Sequence, residues 1–332
     1  MKTLLLTGAT GFVGRNLVLR EIEAGTQIFA PVRNAQKLRQ QLVDEGVSPD
    51  AVTPLDPDPS KWDSVNPTHA VLSAGVLFAR NRPEYFRTNV DWTLEILHAL
   101  PESCRTVVLS SQSAGGPTPH GRSARNESDA DTPITWYGES KLELERAIHR
   151  IFPKRPITIL RPPMILGARD TATIPLFKMA SGLLRTKPGL RKKEFSYIAV
   201  EDVVEAILAA LASNPGGSFY IAANETISDF QLIHTAAQAA GGRGITLPIP
   251  IALVKLMSLL VDTIPAWRKA APSLTRDRAR EIWPDRWVVD SSAFREATRW
   301  THRHDLHHAL HSAYQSLTRE AQQKSDDKIS AP

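Results

Sequence analysis

Residues 7–14 read Thr-Gly-Ala-Thr-Gly-Phe-Val-Gly, just after the apolar run in "KTLLLTG" (2–8) and just before a helical stretch over 12–24. Three glycines at this spacing, set between a strand and a helix, impose one local geometry. Gly8 permits a tight turn, Gly11 lets the main chain touch a pyrophosphate, and Gly14 lets the helix pack close to the strand. Phe12 and Val13 sit inside the same phosphate-binding loop. The helix N-terminus then aims unpaired N–H groups at the phosphates.

A glycine triplet alone is weak evidence, so the rest of the chain has to supply the context. Short β runs alternate with helical patterns through the first half. Strands are expected at 27–32, 70–75, 106–111 and 157–162, with an amphipathic helix over about 83–99 carrying Phe86, Val90, Leu94 and Leu97 on one face. Such alternation predicts an α/β fold: a doubly wound, Rossmann-type parallel sheet with helices on both faces. Beyond about residue 163 the texture changes, and prolines, basic residues and isolated helices take over. The expected division is a nucleotide-binding domain over 1–165, to which 197–223 returns. A smaller, mainly helical substrate lobe covers 166–196 and 224–318. The polar stretch 319–332 reads as a disordered tail.

Bulk properties narrow the class. With 42% hydrophobic and 23% charged residues the chain suits a globular protein. A single cysteine, Cys104, excludes an internal disulfide framework and fits a reducing, cytoplasmic setting. The net charge of +5 favours an anionic cofactor. The lysines and arginines are scattered without interleaved aromatics, which argues against nucleic acid. No stretch reads as a membrane span.

The end of the second strand discriminates between cofactors. An acid there would bond a ribose 2′-OH, whereas an arginine accommodates a 2′-phosphate. Here the sequence is "FAPVRNAQKL", with Arg33 and no acid, and Arg15 adds a second positive charge after the loop. NADP(H) is therefore the expected cofactor, with NAD(H) as the second choice.

"TWYGESK" (135–141) sets Tyr137 and Lys141 four residues apart, on one helix face. That spacing arises often by chance. Its meaning comes from "TVVLSSQSAGG", which ends a strand with Ser110 and Ser111 at the rim where ligands bind α/β sheets. A tyrosine beside an ammonium can exchange a proton near neutral pH, and a serine hydroxyl can hold an oxygen on which charge develops. Around a nicotinamide, the three would make a carbonyl/alcohol redox site.

With these residues in place, the chain resembles the extended short-chain dehydrogenases/reductases, a superfamily that includes the NAD-dependent epimerase/dehydratases. The nearest branch is that of the 3β-hydroxysteroid dehydrogenases and dihydroflavonol reductases. "TGATGFVG", "SSQSAGGP", "YGESK" and "LRPPMILG" carry the resemblance in order, over roughly residues 1–225 and weakly to about 318. The resemblance implies that Ser111 is the substrate-oxygen ligand, by its spacing to Gly116 and Pro117, with Ser110 the close second. It implies Tyr137 as general acid/base and Lys141 as the residue that orients the cofactor ribose and favours the phenolate. Ala74 and Gly75 would run along the cofactor, with Asn89 beneath it, Pro162 and Pro163 near the nicotinamide, and Asp56 at the adenine. One departure is Trp92, in "NVDWT", where the family carries glycine.

The superfamily runs several reactions on one scaffold. Dehydratases of this type carry an Asp-Glu pair after the strand-end hydroxyl, where this chain has Gln112 and Ser113. The Tyr-Gly and Arg-Asp features of many sugar epimerases are replaced by Gly115-Gly116 and Phe195-Ser196. The expected activity is thus interconversion of a secondary alcohol and a ketone on a hydrophobic, sterol-, flavonol- or acyl-like substrate. Leu77, Phe78, Ser113, Met164, Phe195 and Trp267 are the expected substrate wall. Alternatives are a nucleotide-sugar 4-epimerase, with "RTKPGLRKKE" (185–194) holding a diphosphate, and a cofactor-binding sensor or assembly subunit without turnover.

The apolar stretch 247–267 reads as a core helix, a pocket lining or a segment resting on a membrane surface. His304, His308 and His311 share a helical face at metal-binding spacing, but solvated histidines are the simpler reading and no metal is expected. By analogy with relatives, the Tyr/Lys helix would contribute to a homodimer.

Overall fold

The computed structural model describes residues 2–62, 65–264, 266–267 and 274–330. The chain forms two compact units. The first comprises Met1–Pro162, Val203–Ile221 and Val289–Thr301, and the second Pro163–Asp202, Ala222–Val288 and His302–Pro332.

In the first unit, strands β1 (Thr3–Thr7), β2 (Gln27–Pro31), β3 (Val52–Leu55), β4 (His69–Leu72), β5 (Arg105–Leu109) and β6 (Ile157–Arg161) join the later strand Gly217–Tyr220. The sheet order is Gly217–Tyr220, β6, β5, β4, β1, β2, β3, and every pair is parallel. Strand direction of travel reverses between β1 and β4, so the crevice beyond their carboxyl ends is the switch point where ligands bind such sheets. Both faces of a parallel sheet are covered, which explains the apolar run Leu4–Leu6 in β1 and the burial of every residue of β6. On one face Leu5, Leu72, Val108 and Ile159 meet Ile96, Leu97, Leu144 and Ile148 from the helices.

The helix expected over 83–99 is interrupted. An α-helix over Arg82–Phe86 passes into a π-helical turn over Arg87–Asp91, then into an α-helix over Trp92–Ala99. The wider turn leaves Asn89 fully buried. Trp92, in place of the smaller residue, lies over the loop after β3 and donates its indole N–H to the Pro57 carbonyl at 2.9 Å.

The second unit, expected to be mainly helical, also carries two small sheets. Its central strand Glu194–Ala199 pairs antiparallel with Thr226–Ser228 and parallel with Met164–Leu166 and Arg286–Trp287. A two-stranded parallel ladder joins Leu184–Pro188 to Ile245–Ile249. Tyr197, Ala236, Ala309 and Leu310 form part of its core.

The unit boundaries differ from the sequence reading. The strand Glu194–Ala199 pairs inside the second unit, so the return to the first begins at Val203 rather than 197. Residues 289–301 also return, through a bridge between Val289 and Arg125 and the packing of Phe294 against Phe219. The expected disorder of 319–332 is not seen over 319–330, because the last helix runs Leu306–Ser330. "REAQQK" is made of good helix formers, with no glycine or proline to stop it. Residues 331–332 lie outside the described residues.

The glycine loop is held at the switch point by close contacts. Gly8 has φ +75°, and a Cβ there would lie 3.0 Å from the Ala74 nitrogen. A Cβ on Gly14 would stand 2.1 Å from the Gly8 carbonyl oxygen. Gly14→Ala is therefore expected to push the helix off the loop, lowering stability by about 1–3 kcal/mol in urea titration and weakening dinucleotide affinity in the same preparation.

Candidate active site

Around the loop the backbone is arranged for an anion. Gly11 caps the helix Phe12–Glu23 without a side-chain hydrogen bond, and the first turn carries no acid. The N-terminal amides therefore keep their partial positive charge for a phosphate. Across the crevice, Ala74 N–H donates to Thr7 Oγ1 at 3.1 Å and Ser73 Oγ donates to the Thr7 carbonyl at 2.7 Å. These bonds bring Ala74 and Gly75, at the end of β4, beside the loop.

The helix Trp136–Ile151 carries Tyr137 and Lys141, and Thr135 caps it by accepting from Gly138 N–H. Gly138 explains how this helix reaches the end of β5. A Cβ there would lie 2.3 Å from the Ser113 carbonyl oxygen, so only glycine allows the helix to abut the Ser111 turn. Ser111 itself caps the short helical turn Gln112–Gly115, accepting from Ser113 N–H at 3.1 Å, which leaves its own proton to donate. Ser111 and Tyr137 are both half-buried.

Ser110, the second choice, is already engaged by protein. It is 4% exposed and its hydroxyl donates to Glu145. Glu145 is bound in turn by Arg161, whose guanidinium contacts it at 2.7 Å and reaches Asp131 at 2.8 Å and the Tyr220 hydroxyl at 3.1 Å. Burial works against the Arg161 charge, but Glu145 and Asp131 outweigh it and hold the guanidinium more firmly protonated than usual.

Lys141 is buried at 5% exposure, and its Nζ donates to the Leu109 carbonyl at 2.8 Å. A Cβ on Gly75 would sit 3.3 Å from that Nζ and 3.1 Å from Asn89 Oδ1. Lys141 therefore borders the cofactor crevice from beneath β4. Burial drives its ammonium down to about 8, against the upward pull of Glu145.

Asn89, expected to lie beneath the cofactor, has its amide taken up by protein. Oδ1 accepts from Val76 N–H at 2.8 Å, and Nδ2 donates to Ser140 Oγ at 3.0 Å, which donates to the Tyr137 carbonyl at 2.7 Å. It ties the loop after β4 to the Tyr/Lys helix.

Other expected residues fall as follows. Arg33 is exposed just beyond β2. Arg15, offered as a second cation, is paired with Glu45 at 3.0 Å. Asp56 lies just past β3, where a hydrogen bond from Asp58 N–H, then Lys61 at 3.0 Å, hold its carboxyl below the usual range. The Pro162 carbonyl accepts from Gln112 N–H at 2.9 Å, fixing the Ser111 turn to the end of β6. Leu77 and Phe78 are exposed at 39% and 41%, and Ser113 is half-buried, all in the first unit. Met164 and Phe195 pack on the core of the second unit, where Trp267 is 45% exposed. His304 pairs with Asp202 at 3.1 Å and His308 with Glu201 at 3.5 Å. Among the described residues no three or more His, Cys, Asp or Glu side chains gather as a metal site. Among them, too, no helix is long and apolar enough to cross a membrane.

Residues 4–222 match the family model described as NAD dependent epimerase/dehydratase family. The chain belongs to this family. The chain is similar to a ceramide reductase of Caulobacter vibrioides, 24% identical over 88% of this chain and 87% of that protein. The mitochondrial NADH dehydrogenase (ubiquinone) 1 alpha subcomplex subunit 9 of Arabidopsis thaliana is 25% identical over 86% of this chain and 70% of that one. The solved UDP-glucose 4-epimerase of Thermotoga maritima superposes with a TM-score of 0.75 at 17% identity, over 96% of this chain and 99% of that one, which shows the shared fold. As an epimerase/dehydratase-family protein, the chain is an NAD(P)-dependent enzyme of the oxidoreductase type.

Glu145, Arg161, Asp131 and Ser140 were not singled out from sequence. One signal was present: Glu145 repeats the Tyr137–Lys141 step by four more residues, placing an acid next to Leu144 and Ile148 on a buried face.

A buried lysine with a depressed value binds its proton less well in the folded than in the unfolded chain. Folding is then favoured most above the ordinary 10.5, and that benefit is lost as pH falls toward 8. Ligand-free wild type is expected to gain up to about 3 kcal/mol over Lys141→Met between about pH 7 and about pH 10. Urea midpoints of the two proteins at both pH values measure it, and a difference independent of pH would contradict it.

Proposed function

We propose that this enzyme interconverts a secondary alcohol and a ketone on a hydrophobic substrate, using NADP(H). The observation that carries the reading is the direct abutment of the Tyr137/Lys141 helix on the Ser111 turn at Gly138, beside a glycine loop with an uncapped helix N-terminus. The loop amides would hold the pyrophosphate, Ala74 and Gly75 would flank the dinucleotide, and Lys141 would hold its ribose. When bound, the nicotinamide supplies hydride to the carbonyl carbon in the reductive direction. The Ser111 hydroxyl donates a hydrogen bond to the carbonyl oxygen as charge develops there. Tyr137 gives that oxygen its proton, and the neighbouring Lys141 charge favours the phenolate left behind. In the oxidative direction the same groups run in reverse.

Dehydration is disfavoured by the residues after Ser111. Gln112 is buried and Ser113 carries no carboxyl, so a second acid/base is missing there. The epimerase reading relied on the basic run 185–194 to grip a diphosphate. Three of its cations are already engaged: Arg185 with the Ala180 carbonyl, Lys187 with Asp229 at 2.6 Å and Lys193 with the Ile282 carbonyl. A hydrophobic substrate is further supported by the exposed Leu77 and Phe78, and by kinship with a reductase named for a lipid, ceramide.

Tyr137→Phe is expected to lower kcat by at least about a hundredfold while NADPH binding, followed by fluorescence, stays within about twofold. Retained turnover would overturn the assignment. Epimerised product from UDP-sugars without net NADP(H) change would instead favour the epimerase. For the cofactor, kcat/KM is expected to favour NADPH over NADH, and Arg33→Ala to erode that preference about tenfold. A preference for NADH in wild type would sink the NADP(H) reading alone and leave the chemistry untouched.

A further inference from the structure

In the second unit the usual sorting of side chains is reversed. The helix Ile251–Thr263 buries only Val254, Ser258 and Val261. Leu253, Leu256, Met257 and Leu260 share the opposite face at helical spacing, between 39% and 52% exposed. The ladder leading into this helix does the same. Leu184 and its register partner Ile245 are 56% and 64% exposed, whereas Arg185 and Lys187 between them are turned inward. Leu183 and Leu190 flank the strand at 84% and 72% exposure.

These elements are contiguous. Gly189 N–H donates to the Ile249 carbonyl at 2.8 Å, joining the Leu190 turn to the strand end from which the helix starts. The result is a contiguous run of exposed apolar side chains, the kind of surface that marks interaction sites. Exposed cations around it are Arg191, Lys192, Arg243 and Lys255, with the exposed Asp285 near Arg191. Arg191 is held only loosely by Asp285, at 3.7 Å, and Lys192 by Glu194, at 3.3 Å. Across 183–193 and 243–263 the one acid is Asp262, which accepts from Arg276 N–H.

A twofold pairing of this face with a second copy would bring like charges together. An anionic lipid surface meets both demands, taking leucines into the acyl boundary and cations at the headgroups. We propose that the face formed by 183–192 and 243–260 docks on a bilayer surface carrying anionic headgroups. The proposal is independent of the reaction argued above, because docking is read without turnover.

Flotation of the full chain with phosphatidylcholine vesicles, with and without phosphatidylglycerol, tests it. Binding is expected only where phosphatidylglycerol is present, and is weakened by added salt. Leu256→Gln combined with Leu260→Gln is expected to lower partitioning about tenfold or more. Arg191→Glu combined with Lys192→Glu is expected to do the same through charge. All four positions are exposed, and an unchanged thermal unfolding curve shows that each variant is folded; the two pairs are independent, so either one decides. No vesicle binding, equal binding to neutral and anionic vesicles, or binding that a folded pair leaves unaltered overturns the proposal. So does a dimer in sedimentation velocity that the leucine pair abolishes, without vesicle binding, which would assign the face to a second copy.

Discussion

The first unit is organised around one buried ion pair. Arg161, on β6, meets Glu145, two helical turns beyond Tyr137, and both side chains are almost wholly removed from water. Stripping two charges of solvent is costly, and the pair persists because every face of it is satisfied. Asp131 takes the outer edge of the guanidinium, the Tyr220 hydroxyl accepts from it, and Ser110 and Ser218 donate to the carboxylate. The network thus pins the Tyr/Lys helix to β5, β6 and the strand Gly217–Tyr220. It also distinguishes two adjacent serines: Ser110 donates to Glu145, and Ser111 is left half-buried beyond the end of β5. Because Glu145 lies one turn from Lys141, it partly offsets the cost of burying that ammonium. The same carboxylate sets the helix in place and acts on the Lys141 charge, one turn from Tyr137.

What could be read from sequence was what chemistry imposes locally. Gly11 and Gly14 are dictated by contacts with Gly8, within six residues, and Tyr137 and Lys141 are related by one helical turn. Strands buried on both faces announce themselves as apolar runs. The features that escaped reading are those whose partner is distant in sequence. Arg161 is an unremarked end to an apolar strand until Asp131 and Glu145 surround it. Asn89 sits in a motif altered by Trp92, and its function as a tie between Val76 and Ser140 depends on a π-helical turn that no periodicity announces. The return of 289–301 to the first unit rests on Phe294 packing against Phe219 and Trp300, a contact without local signature.

Gly138 and Gly116 illustrate a middle case. Both stand in recognisable motifs, yet the reason for each is a backbone carbonyl from elsewhere. For Gly138 the carbonyl is that of Ser113, and for Gly116 that of Thr132, which would lie 2.1 Å from an added Cβ. A motif glycine thus marks where two segments must touch without saying which two. The structure supplies the second segment, and with it the link between the Tyr137/Lys141 helix and the Ser111 turn.

The second unit contains the opposite relation between stability and sequence. Lys187 is fully buried and needs Asp229 and the Arg191 carbonyl to compensate its charge, while Leu184 and Leu190, three residues away on either side, stand in water. Folding stability alone would select the exchange, because burying a leucine contributes about 1.5–3 kcal/mol and a buried ammonium contributes nothing without its partners. A chain that buries Arg185 beside an exposed Leu184 in one strand, and leaves Leu253, Leu256, Met257 and Leu260 exposed on the helix Ile251–Thr263, is not sorting residues for its own core. Local rules broken together, on one face and in one sense, are the mark of a surface shaped by what it meets. The cations left around that face restrict the encounter further, to a partner that is apolar beneath and anionic at its boundary.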